Sequence, residues 1–126
     1  MFTKIEAENT SSSNYLLNSM EVEYEEFTER MEEIIQDQSR EVDHFGKMQA
    51  KAEEDGHKLA ASHYAKRYLE IHEKTLSNID ALDFAREMKD SVIFMMNGAV
   101  PSFVYVGRKK KMEHRKAKED MKKIYV

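Results

Sequence analysis

Apolar residues fall at Met20, Tyr24, Phe27, Met31 and Ile34, and again at Phe45 and Met48, in alternating steps of four and three. That spacing paints one narrow stripe along a helix that buries a single seam against a partner. Carried through the gap, the register places Gln38 and Glu41 on the seam, with Ile35 and Val42 widening the stripe beside them. The polar stretch 9–14 offers Ser12, Ser13 or Asn14 as an N-cap, so the helix is expected to begin there. A helix from 21 to 53 would be about 50 Å long and unstable without cover for its stripe.

Glu53-Glu54-Asp55-Gly56-His57 is the clearest turn signal in the first two-thirds of the chain, because glycine takes the left-handed conformation that ends a helix. A second helix follows from about Lys58, with Ala61, Ala65, Tyr68, His72, Leu76, Ile79 and Leu82 on one face. The apolar set then shifts to Phe84, Met88, Val92 and Met95. Ser77-Asn-Ile-Asp80 resembles a capping box at that shift, so the choice is between one continuous helix with a drifting stripe and a break near Ser77. Asn97-Gly98 is expected to end it in either case. A short connection makes the two helices antiparallel neighbours.

Beyond Pro101 lies the one β-like run, Ser102-Phe-Val-Tyr-Val106, read as an extended connector or a short edge strand. Residues 108–123 suit a final helix, but Met112, Ala117 and Met121 give it little core face. The pattern predicts an all-α protein: a long, coiled-coil-like antiparallel helical hairpin with a basic C-terminal helix. Its expected organisation is a flexible lead-in over 1–13, the hairpin over 14–97, and a connector plus basic helix over 98–126.

Composition agrees, since four glycines and one proline leave few breakers, and 35% of residues are charged. With no cysteine, disulfides, thiol catalysis and Cys-ligated zinc are excluded. The first residues lack the basic-then-apolar succession of a secretory signal, and no run reaches the ~18 apolar residues that cross a bilayer. Even the uncharged stretch 91–106 is interrupted by Asn97, Gly98 and Pro101. A cytoplasmic location is expected, without membrane contact.

Net charge is −4, but it is strongly polarised. Residues 1–56 carry 5 basic and 15 acidic groups, 57–106 carry 6 of each, and 107–126 carry 9 basic and 3 acidic. The basic cluster, Arg108, Lys109, Lys110, Lys111, Arg115, Lys116 and Lys118, is the candidate site for an anionic partner, either an acidic protein surface or nucleic acid. Few aromatics interleave it for base stacking, and Glu113, Glu119 and Asp120 interrupt it, which favours protein over nucleic acid.

Catalytic constellations are sparse. Glu41-Val-Asp-His44 has the Glu-x-x-His spacing of carboxylate-bridged di-iron bundles, but those sites need a second such motif and further glutamates. No metal or other cofactor is expected. Glu25-Glu26-Phe-Thr-Glu29 together with Glu87-Met-Lys-Asp90 resembles the acidic motifs of the MazG-like nucleotide pyrophosphohydrolases, all-α enzymes that hold Mg²⁺ between two helices. The resemblance implies a hydrolase with those carboxylates as ligands. The interval between the two motifs is long for that family, and the 4-3 register turns Glu26 and Glu29 toward solvent.

The sequence therefore points to a non-catalytic interaction or assembly module of adaptor, chaperone or scaffold type, ahead of a nucleic-acid-binding protein and a MazG-like hydrolase. A two-helix hairpin covers only part of each stripe. Tyr24, Phe27, Met31, Ile34, Phe45, Phe84 and Phe94 are accordingly expected to meet a partner, either a second copy completing a four-helix bundle or another helical protein.

Overall fold

The computed structural model describes residues 19–125. The expected lead-in and the caps at Ser12, Ser13 and Asn14 lie outside the described residues. In chain order the elements are β1 (Met20–Glu21), α1 (Tyr24–Glu54), α2 (Lys58–Glu87), a 3-10 turn (Lys89–Ser91), β2 (Val92–Asn97), β3 (Val100–Tyr105) and α3 (Arg108–Tyr125).

The two long helices pack against each other along the hairpin. Their turn is a Schellman motif. The His57 N–H reaches the Ala52 carbonyl at 2.8 Å, the Gly56 N–H reaches that of Glu53 at 3.1 Å, and Gly56 sits at φ +74°. Helix α2 runs unbroken through Ser77. Of its expected face Ala61 and Leu82 are buried and Ala65, Tyr68, His72 and Ile79 partly so, but Ile71, Thr75, Asn78 and Ala85 are buried as well, whereas Leu76 is 48% exposed. Two polar residues occupy the seam because both are satisfied there. Thr75 Oγ1 donates to the Ile71 carbonyl at 2.7 Å, and Asn78 Nδ2 donates to Gln38 Oε1 at 2.9 Å. The imperfection at Gln38 is thus answered from the opposite helix.

The all-α expectation is corrected by a three-stranded antiparallel sheet in the order β1-β2-β3. Met20 and Glu21, expected in the first helix, pair with Met96 and Met95. The stretch 92–97, expected to finish the second helix, is a strand paired with β3 from Val92↔Tyr105 to Asn97↔Val100. The 3-10 turn releases the chain into extended geometry at Val92 (φ −124°, ψ 149°). Alternation then takes over, with Val92 and Phe94 buried and Ile93 and Met95 only partly so. Asn97-Gly98 does not cap a helix; Gly98, at φ +59°, and Ala99 form the two-residue loop of a β-hairpin. β3 is the edge strand that Ser102–Val106 suggested. Because Val106 N–H bonds to the Ser91 carbonyl at 2.8 Å, alternation makes Met96–Pro101 a non-hydrogen-bonded pair, where proline costs the ladder nothing.

One face of the sheet closes the open end of the helical hairpin. Phe27, Met31, Leu82, Ala85, Val92, Phe94 and Phe103 form the core there. Phe27 lies 4.9 Å from Phe94 and 6.1 Å from Phe103 between ring centroids. Each large side chain so enclosed contributes roughly 1.5–3 kcal/mol. For Phe27, Met31 and Phe94, the cover expected from a second chain comes from this sheet and hairpin end.

Candidate functional site

Helix α3 is where local sequence and local structure disagree most. Its first turn holds Arg108, Lys109, Lys110 and Lys111 and no acidic residue. A helix N-terminus carries partial positive charge, so each cation there costs about 0.3–1 kcal/mol by reversing the favourable arrangement. Contacts with the body compensate. The Ser91 carbonyl accepts N–H bonds from Val106 at 2.8 Å and Gly107 at 3.0 Å, and Gly107 turns the chain into the helix at φ +89°.

One face of α3 then docks on the body through charge. Glu21 accepts from Lys118 Nζ at 3.2 Å and is hydrogen-bonded to His114 Nε2 at 2.7 Å. Arg115 reaches Asp90 at 3.8 Å. Burial works to raise the Glu21 pKa, but the hydrogen bonds from His114 and Lys118, with the two positive charges, outweigh it and hold the carboxyl below its ordinary value.

Between α3 and the start of α1 lies a cavity of about 310 Å³, lined by residues that include Tyr24, Lys89, Phe94, Lys111 and Arg115. Tyr24 and Phe94 meet edge to face at 5.4 Å. The Lys89 ammonium stands 4.3 Å from the Tyr24 centroid and that of Lys111 5.2 Å from the Phe94 centroid. Burial pushes the Lys111 pKa down, Glu21 and Glu23 pull it back up, and Arg115 and Lys118 add to the lowering.

The seven cations named from sequence thus divide by face. Lys111, Arg115 and Lys118 line the cavity on the body side, Arg115 while still exposed, whereas Arg108, Lys109, Lys110 and Lys116 are exposed and lie outside it. Met112 and Met121, 58% and 56% exposed, give the outer surface an apolar component. Of the seven apolar candidates, Phe27, Met31 and Phe94 are core, Tyr24 lines the cavity, and Ile34 and Phe45 are half-buried on α1. Phe84 is 39% exposed and stacks on Phe103 at 5.5 Å.

The acidic motifs that resemble the MazG-like enzymes, Glu25, Glu26, Glu29, Glu87 and Asp90, are all exposed, as are Glu41 and His44. Among the described residues no group of three or more His, Asp or Glu side chains is placed to hold a metal ion. Also among them, no helix is long and apolar enough to cross a membrane.

Sequence reasoning missed Glu21 and Lys89. The only available signal was the charge asymmetry between an acidic N-terminal part and a basic C-terminal helix, which implied attraction without saying which of 24 acids would supply it. No protein-family model matches the chain, and neither a curated protein nor a solved structure matches it.

Proposed function

We propose that the protein is a non-catalytic interaction module that docks an acidic protein surface on the outer face of α3. The carrying observation is that the first turn of α3, where cations are least favourable, holds three outward-facing ones, Arg108, Lys109 and Lys110, besides the inward Lys111, on a helix fastened to the body through Glu21. Helix stability does not explain them; a partner that neutralises them does. Arg108, Lys109, Lys110 and Lys116 supply the charge, and Met112 and Met121 supply adaptable apolar contact. Self-association belongs to the same reading. Its seat is the outer side of α2, where Leu69 and Leu76, 57% and 48% exposed, stand one heptad apart.

The test is affinity capture from the native host with the whole chain and with a Lys109→Ala, Lys110→Ala, Lys116→Ala variant, each at two salt concentrations. One dominant acidic protein, lost in the variant and weakened by salt, is the expected result. Bulk nucleic acid lost at high salt would replace the protein-docking reading with the nucleic-acid one, and an unchanged capture profile would reduce the face to a solubilising surface.

A further inference from the structure

The inward side of α3 presents a different problem from its outer face. Lys89 and Lys111 come from separate elements, the 3-10 turn and α3, yet line one cavity over two touching rings. A ring face attracts an ammonium but cancels none of its charge and satisfies at most one of its three donors. Each ammonium here has its ring, and neither makes an ion pair within 4 Å among the described residues. Glu21, the half-enclosed carboxylate of the lining, is already taken by His114 and Lys118. Glu23, Glu25 and Glu119 also line the cavity and are exposed, as Lys89 is, so solvent and salt screen all four, and Lys111 is the half-buried member of the cation pair.

We infer that this cavity is a binding site for a compact oxyanion of the phosphate-monoester class, received between the Lys89 and Lys111 ammonium groups with Tyr24 and Phe94 as its floor. Two ammonium groups favour a doubly charged group over a single carboxylate. A cavity of about 310 Å³ holds a phosphoryl group and part of whatever carries it. Burial is the chief cause that lowers the Lys111 pKa, with Glu21 and Glu23 opposing it and Arg115 and Lys118 adding to it, and a bound dianion would oppose it further. The exposed carboxylates limit affinity and disfavour extended polyanions. This site does not depend on the outer face of α3: it uses different side chains and a small ligand.

The experiment is a titration of the whole, ¹⁵N-labelled chain with inorganic phosphate and with a small phosphomonoester, phosphoethanolamine, at constant ionic strength, chloride serving as the reference anion. Saturable shifts are expected at the amides of Val22, Tyr24, Lys89 and Lys111. Lys89→Gln and Lys111→Gln should each weaken binding about tenfold, the scale of one lost charge-assisted hydrogen bond. A Lys47→Gln, Lys66→Gln variant, altered at exposed positions of the helical hairpin, should bind as the parent does. Tighter binding of the monoester than of phosphate identifies a carried phosphoryl group as the ligand; equal binding identifies the free anion. Shifts that do not saturate, that chloride reproduces, or that survive both cavity substitutions would overturn the site.

Discussion

Asn78, 3% exposed in the middle of α2, donates a 2.9 Å hydrogen bond to Gln38 on α1 across the seam of the helical hairpin. A pair of amides at this depth fixes axial register, because sliding either helix by a turn strands a buried polar group. Asn78→Ala is expected to destabilise the fold by about 1–3 kcal/mol, the cost of leaving Gln38 without its partner beside a small void. Replacing both residues with leucine should recover most of that loss. Denaturant unfolding of the single and double variants checks this, and a double variant as unstable as Asn78→Ala would show that the pair contributes no register penalty.

The Glu21 attachment makes the docking of α3 sensitive to acid. A carboxyl whose folded pKa lies below its ordinary value of 4.5 contributes stability that is fully present above 4.5 and is lost as pH falls through the depressed value. Amide exchange in α3, taken relative to the intrinsic rate at each pH, should therefore stay slow down to about the ordinary carboxyl range and accelerate below it. Glu21→Gln should accelerate it already at neutral pH. Equal exchange in parent and variant would mean that α3 is held by other contacts.

Gly56 offers a clean measure of backbone strain. At φ +74° it has open space where a Cβ would stand, with no atom within 4 Å. Gly56→Ala should thus cost about 1 kcal/mol for the left-handed conformation alone, with no steric addition. Thermal unfolding at fixed pH reads it directly. A neutral substitution would require the turn to relax into another geometry.

Lys109→Glu with Lys110→Glu separates stability from binding. Negative charge in the first turn of α3 suits the helix dipole, so each change should raise helix stability by about 0.3–1 kcal/mol at low salt. Capture of the acidic partner should be lost in the same protein. Gains in both properties, or losses in both, would contradict the reading of these cations as retained for a partner.

What the sequence disclosed depends on how many structures a given spacing permits. The helical hairpin was legible because steps of four and three over 24–48 suit a helix and Gly56 punctuates them, although the same spacing wrongly drew in Met20, which is in β1. The sheet was not, because Phe84, Met88, Val92 and Met95 keep helical spacing while Val92 and Phe94 also alternate as a strand requires. Asn97-Gly98 serves equally as a helix stop and as part of a hairpin turn, and β1, two residues long, carries no periodicity at all. On α2, Thr75 and Asn78 hid the true buried face, since satisfied polar groups do not look apolar. At the site, the cations were readable as a cluster, but their division into inward and outward sets required the position of Glu21.

The contact between His114 and Glu21 spans 93 residues, whereas the Schellman turn at Gly56 closes within six. Loop closure grows costly with separation, and contacts near in sequence form first. The helical hairpin is thus expected to assemble early from its tip, with the pairing of β1 to β2 and the seating of α3 following as one late step. In reverse, the same step opens first: a native ensemble in which α3 and β1 lift away together while the long helices stay paired, visible as a shared, faster exchange class for residues 20–22 and 108–118.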